Sequence, residues 1–306
     1  LLHQPMGNIF YDGFQLLSFS TRSYFAVLLA VTLGWSFARE WKAPFYQSIL
    51  LPCLTTSCFL ILIDANPNLY NDYLSIYGML SCLIASTLSS RLYLYLLHQL
   101  EPVFKRAHYN LSPYLHGILY SVLPMTLVLI AFILLQTLIL SLTHGHCLQE
   151  VISLQLTDLI MLCSPFPLLA GLLFTFLVHF LWFFGINGHN VLYMITDRYY
   201  GSLMLENAHT ASFGFPPPYI IHTGFNNAYI QLGGSGAVLA LVIAVFLVSR
   251  NKNTRTIAKI GLPASLFNIS EIISFGIPTV CNPIFLLPFL FAPILNLLLA
   301  YAATYL

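Results

Sequence analysis

The 306-residue chain is 58% hydrophobic and only 7% charged, with a mean hydropathy of +0.82. Soluble domains carry about a quarter charged residues, so composition excludes one and requires a polytopic integral membrane protein. The 11 Lys and Arg nearly balance 10 Asp and Glu, which excludes a nucleic-acid partner held by a basic surface.

The chain opens Leu1-Leu2-His3-Gln4, with neither Met nor a cleavable leader pattern. It stops at Leu306 inside an apolar run. Both ends therefore read as cut from a longer protein, with residues 1–306 forming a single all-α membrane domain. A bilayer span needs about 17 to 25 mostly apolar residues. In chain order, 24–38, 48–63 and 75–97 are the weaker candidates, the last crossed by Arg91. Residues 92–108 mix Leu, Tyr and Phe with His98, Glu101, Lys105 and Arg106, the pattern of an interfacial helix. The uncharged stretch 118–142 is the clearest span. His144-Gly145-His146-Cys147 reads as a short external loop, since no second ligand cluster accompanies it to make a metal site. Glu150 and Asp158, within 148–162, fall on one helical face that reads as solvated. Next come 165–184, where His179 reads as a core histidine, then 233–249 and 284–301. Length and polarity together give seven or eight spans. The six cysteines read as buried small hydrophobes.

Arg250, Lys252, Arg255 and Lys259 sit close together and predict a cytoplasmic loop; Arg39, Lys42, Lys105 and Arg106 mark further cytoplasmic edges. Segments 185–232 and 261–283 are too apolar for free loops and too broken by Gly and Pro for spans. Re-entrant hairpins lining a cavity account for both. His209 and His222, in the first of them, are candidates to reach a substrate.

The second segment holds Phe267-Asn268-Ile269-Ser270-Glu271-Ile272-Ile273-Ser274-Phe275-Gly276-Ile277-Pro278, and positions 272–306 carry no charge at all. A carboxylate at membrane depth is costly and is retained facing a cavity or a substrate path. On broken backbone it is a common way to build a solute site. Asn268 and Asn282 bracket Glu271. Carboxylate and amide groups fix the directions of ligand hydroxyls, while Trp182 and Phe275 offer faces for a sugar ring. Glu271 could also serve as general base toward a sugar hydroxyl. Asn187-Gly188-His189-Asn190 supports two readings, a helix cap and a set of donors and acceptors for a sugar. Gly233-Gly234-Ser235-Gly236 is not a nucleophile elbow, because position 237 is Ala. No Lys follows the glycines, so it is no phosphate loop either. Close backbone approach with free amides at a helix start remains. No nucleophile–base pair stands at readable spacing, and no metal or other cofactor is expected.

Taken together, Trp182-Phe183-Phe184-Gly185-Ile186-Asn187-Gly188, Gly233-Gly234-Ser235-Gly236-Ala237-Val238-Leu239, Phe267-Asn268-Ile269-Ser270-Glu271, Phe275-Gly276-Ile277-Pro278 and Asn282-Pro283 resemble a known family. It is the sugar-translocating C component of enzyme II (EIIC) of the bacterial phosphotransferase system, in its lactose, cellobiose and diacetylchitobiose branch. The resemblance covers residues 71–306. It implies a multi-pass homodimeric permease of the bacterial cytoplasmic membrane, binding a disaccharide or oligosaccharide and served by a cytoplasmic B component that donates the phosphoryl group. It also implies Glu271 as possible catalytic residue, with Glu271, Asn268, Asn187, His189, Asn282, Gly234, Ser235 and Trp182 as substrate-binding residues. Two departures stand out. The family's glycine-flanked histidine is Asn187 here, and its Asn-Glu-Pro core is Ser270-Glu271-Ile272. Asn holds a hydroxyl but takes no proton at neutral pH. An alternative function follows, a sugar-sensing input domain of a larger signalling protein that has lost phosphotransfer.

Overall fold

The computed structural model describes residues 6–63, 70–106 and 113–306. The opening residues Leu1 to Gln4, and the expected end of an interfacial helix at His108, lie outside them. No strand occurs among the described residues, and the helices fall into two compact units, Leu1–Ile152 and Ser153–Leu306.

The first unit contains α1 (Met6–Ser23), α2 (Phe25–Glu40), α3 (Phe45–Ile63), the short α4 (Tyr70–Leu74), α5 (Met79–Arg106), α6 (Pro113–Leu142) and the start of α7 (Leu148–Met161). Its core is α2, α3, α5 and α6 packed pairwise. The reason lies in α2, which buries Ala26, Ala30, Gly34 and Ala38, one small residue every fourth position. Such a stripe lets neighbouring backbones approach closely where lipid supplies no hydrophobic drive between helices. Thr55 of α3 donates to Ala30 O at 2.9 Å, and Cys82 of α5 donates to Ala26 O at 3.1 Å. A Cβ added at Gly34 would lie 2.7 Å from Pro52 Cα and 2.5 Å from Thr55 Oγ1. Gly34→Ala is therefore expected to destabilise this unit by about 1–3 kcal/mol despite Ala's better helix propensity. Thermal denaturation in detergent reads the effect, and an unchanged or raised Tm would contradict the close α2–α3 packing.

The second unit contains α8 (Pro167–Phe183), α9 (Gly188–Val191), a π-helical turn Met194–Tyr199, α10 (Tyr200–Ser212), α11 (Thr223–Phe225), a second π-helical turn Asn226–Ile230, α12 (Val238–Val248), α13 (Lys252–Leu266), α14 (Glu271–Gly276) and α15 (Pro283–Tyr305). α8 packs along α15, and α12, α13 and α14 share a core of Val238, Val242, Val245, Ala258, Ile273 and Ile277. His179 is buried in α8, as expected of a core histidine, and donates from Nδ1 to Thr175 O at 2.7 Å, but its buried Nε2 has no partner among the described residues.

Several expectations change. Among the described residues, four helices are long and apolar enough to cross a bilayer: Phe45–Ile63, Ile76–Pro102, Gly117–Leu142 and Pro283–Tyr305. A fifth forms if Phe10–Ser23 and Phe25–Glu40, bent by 56° at one break, count together. Seven or eight spans were expected; α8, with 17 residues, stands at the lower limit of a span, and α12, with 11, falls short of it. At about 1.5 Å per residue, α12 rises roughly 16 Å against a hydrocarbon core of about 30 Å. The glycine-rich run before it is spent on a turn, with φ positive at Gly233, Gly234 and Gly236. The expected interfacial helix at 92–106 is the continuation of α5. Lys252, Arg255 and Lys259 lie on the first turns of α13, capped by Asn251, and not in a loop. Asp158 is exposed, but Glu150 is buried and accepts from Cys147 N–H at 3.0 Å. That contact is the return half of a capping box, which explains why this carboxylate leaves solvent. Cys58, Cys82 and Cys147 are buried as expected, whereas Cys53 and Cys281 are exposed.

Candidate functional site

The second unit carries an open polar cavity of about 290 Å³. Its wall begins where α8 ends. Trp182 is buried at the end of α8, and its indole Nε1 has no hydrogen-bond partner among the described residues. Gly185 turns the chain at φ 78°, and Asn187 then caps α9, its Oδ1 accepting from Asn190 N–H at 3.2 Å. The cap reading of the Asn187–Asn190 motif thus holds, and Asn187 also faces the cavity. A side chain at 188 has no room, since a Cβ there would come within 2.3 Å of Val178 O.

His189 also lines the cavity, but its Nε2 is occupied. It accepts from Gln231 Nε2 at 2.5 Å and from Asn226 Nδ2 at 3.4 Å. These contacts tie His189 to the second π turn and to Gln231, so it organises the wall.

The two π-helical turns supply groups that the motifs did not predict. Thr196 and Asp197 come from the first, Asn227 from the second, with Gln231 directly after it. Thr223 ties these turns together by donating to Thr196 O at 3.0 Å. π turns often mark functional sites because they re-aim side chains out of the regular helical phase. Polar residues bunched in 185–232 were the only sequence signal for this group.

The opposite wall is the break between α13 and α14. Asn268, at φ 60°, accepts from Gly233 N–H at 3.1 Å and donates from Nδ2 to Asn227 O at 2.9 Å. Its amide therefore staples the glycine-rich turn and the second π turn to the segment carrying Glu271. Gly234 backs this staple without lining the cavity, while Ser235 and Ser270 are buried in the wall. Glu271 opens α14 at the cavity's edge, exposed, with no hydrogen bond or ion pair among the described residues. Nor do the side-chain amides of Asn190 and Asn227 or the hydroxyls of Ser235 and Ser270 have partners among those residues. The arrangement is one free carboxylate, two free amides and two free hydroxyls converging on a small cavity. Such a set suits an uncharged ligand rich in hydroxyls.

Asn282 is not part of the lining. It caps α15, accepting from Ile284 N–H at 3.1 Å and donating to Pro278 O at 2.9 Å. Phe275 is exposed and lies outside the cavity. His209 stacks edge-on with Phe213 on α10, and His222 caps α11, so neither reaches the cavity. A second, tyrosine-walled slot of about 260 Å³ contains Tyr199, Tyr200, Tyr219, Tyr301 and Tyr305 but no charged side chain. A wider groove of about 860 Å³ lies in the first unit and holds none of the motif residues. The chemistry favours the smaller polar cavity over both.

The sequence profile of the family described as "Phosphotransferase system, EIIC" matches residues 4–293. The chain is 32% identical over 137 residues to the PTS system oligo-beta-mannoside-specific EIIC component of Bacillus subtilis strain 168, covering 44% of this chain and 31% of that protein. It is 32% identical over 169 residues to the PTS system cellobiose-specific EIIC component of Lactococcus lactis subsp. lactis strain IL1403, covering 47% of this chain and 34% of the relative. The chain thus spans about a third of the length of each. Among solved structures, the crystal structure of the transporter ChbC, the IIC component from the N,N'-diacetylchitobiose-specific phosphotransferase system, aligns with a TM-score of 0.47 and 22% identity. That alignment covers 94% of this chain and 68% of the other.

Proposed function

We propose that this chain, which belongs to the phosphotransferase-system EIIC family, supplies the sugar-holding cavity of a permease in the bacterial cytoplasmic membrane. Its ligand is a β-linked disaccharide or short oligosaccharide, the class named for the oligo-beta-mannoside and cellobiose relatives. Its partners are a cytoplasmic phospho-donor B component and a second copy of the chain. The observation that carries this reading is the unpartnered Glu271 carboxylate beside free amides and hydroxyls in one small cavity. A carboxylate in a membrane domain is usually retained for a purpose, and this one, exposed to the cavity, is free to accept from a ligand hydroxyl.

In transport, Glu271 orients a sugar hydroxyl while Trp182 supports the ring from the wall. For phosphorylation, the hydroxyl oxygen attacks the phosphoryl group on the B component. A P–O bond forms as the bond to the donor side chain breaks, and the hydroxyl proton passes to a base. Asn187 takes no proton, and Glu271 is a carboxylate at the cavity with no partner among the described residues, so it serves as that base. Asp197, the other carboxylate in the wall, has partners of its own. The relatives are transport components, which favours this reading over the sugar-sensing alternative.

Vesicles carrying the protein, supplied with phosphorylated B component and cellobiose, test the full claim. Accumulation of sugar phosphate inside is expected. Saturable binding with no sugar phosphate would remove phosphotransfer and leave a binding module.

A further inference from the structure

We propose that the groove between α1 and residues 72–77 in the first unit is a site for phosphatidylethanolamine, gripping its phosphate with Arg22 and its ammonium with Asp72. The inference rests on the first unit and on the chain's membrane location, and is independent of the sugar reading.

The groove, about 860 Å³ and half open, is lined by both Arg22 and Asp72. Neither side chain has an ion pair or hydrogen bond among the described residues, so the two opposite charges border one space without closing on each other. In a chain with so few charged residues this is unusual. A complementary ligand carries an anion and a cation a short distance apart. A zwitterionic headgroup does so, with its phosphate and its ammonium separated by two carbons. The guanidinium fork of Arg matches phosphate oxygens bidentately, and a carboxylate accepts from an ammonium N–H. The quaternary ammonium of phosphatidylcholine has no N–H to donate. Phosphatidylglycerol has no cation and would leave Asp72 facing its phosphate.

The rest of the groove fits a lipid better than a free headgroup. Tyr11, Phe14, Phe19 and Tyr24 line it, and Phe14 and Phe19 are 73% and 68% exposed. Tyr11 is fixed on the wall by the amide of Gln15, 2.7 Å from its hydroxyl. The groove lies at the 56° bend between α1 and α2. Aromatic side chains around a bend with one basic residue are the usual furniture of the headgroup level, where rings bury and hydroxyls stay wet. Tyr faces also attract the ammonium.

The test is lipid retention by the full chain in nanodiscs of mixed phosphatidylethanolamine, phosphatidylglycerol and phosphatidylcholine, read by native mass spectrometry after extraction. Wild type is expected to retain phosphatidylethanolamine about five- to tenfold over the other two, the range of one or two partly exposed charge-assisted contacts. Arg22→Gln should lose retention of every phospholipid, and Arg22→Lys should restore part of it. Asp72→Asn should abolish the preference for phosphatidylethanolamine while retention of phosphatidylglycerol persists or rises. Arg250→Gln, outside the groove, should change nothing. Equal retention of all three lipids by wild type would overturn the proposal. So would a preference for phosphatidylglycerol, which would mark a simple cationic patch. Helix content by circular dichroism shows that each variant is folded, and Arg22→Lys keeps the test decisive should Arg22→Gln unfold.

Discussion

Glu271→Gln is expected to weaken disaccharide binding by about ten- to a hundredfold, with helix content and Tm unchanged. The size follows from replacing a charged acceptor by a neutral one in a partly enclosed site, about 1.5–3 kcal/mol per hydrogen bond to a charged group. The unchanged stability follows from the structure, because the carboxylate is exposed and bonds to nothing among the described residues. Removing its charge leaves no protein group orphaned. Phosphotransfer should fall further than binding, since Gln cannot accept the hydroxyl proton. Isothermal titration gives the first effect and sugar-phosphate production the second. Equal affinity in the variant would mean that Glu271 does not touch the sugar.

Gly234→Ala is expected to destabilise the second unit by about 2–5 kcal/mol and to eliminate sugar binding at ordinary concentrations. Gly234 sits at φ 93°, and a Cβ there would meet Asn268 O at 2.7 Å, Ser270 Cβ at 2.8 Å and Ser270 N at 2.9 Å. Two penalties combine, the left-handed backbone and the collision with the segment that leads into Glu271. Gly145→Ala separates them. Gly145 has φ 94° but nothing within 4 Å of an added Cβ, so it bears only the backbone strain. Its unfolding free energy should fall by about 1 kcal/mol, with sugar binding intact. Similar losses in both variants would show that close approach at Gly234 is unimportant.

How much was legible follows from these residues. Glu271, Asn187, Ser235, Trp182 and Asn268 announced themselves as polar groups or glycine-flanked turns in apolar sequence, and all five line the cavity. Their roles were less legible than their places. Asn268 spends its amide on Gly233 and Asn227, and Asn187 spends its oxygen on a cap. Asn282 looks identical in sequence and is only a cap, because a Pro at 283 starts a helix that needs one. Thr196, Asp197, Thr223, Asn227 and Gln231 were missed because two π turns and the short pieces around them set their directions. A period of 3.6 does not predict which face such residues take. The shortness of α12 has a similar origin. Composition registers an uncharged run at 233–249, but not the three positive-φ glycines that withdraw its start from the helix. The stripe Ala26, Ala30, Gly34, Ala38 explains the tight helix packing of the first unit, but the expected span 24–38 was read only for its polarity and length.

A structure of the protein with a bound β-linked disaccharide tests the central claim most directly. The account predicts the sugar in the 290 Å³ cavity, a hydroxyl about 2.5–3.0 Å from a Glu271 carboxylate oxygen, and further contacts from Asn190, Asn227, Ser235 or Ser270. A sugar seated in the tyrosine-walled slot, with Glu271 still unpartnered, would contradict it.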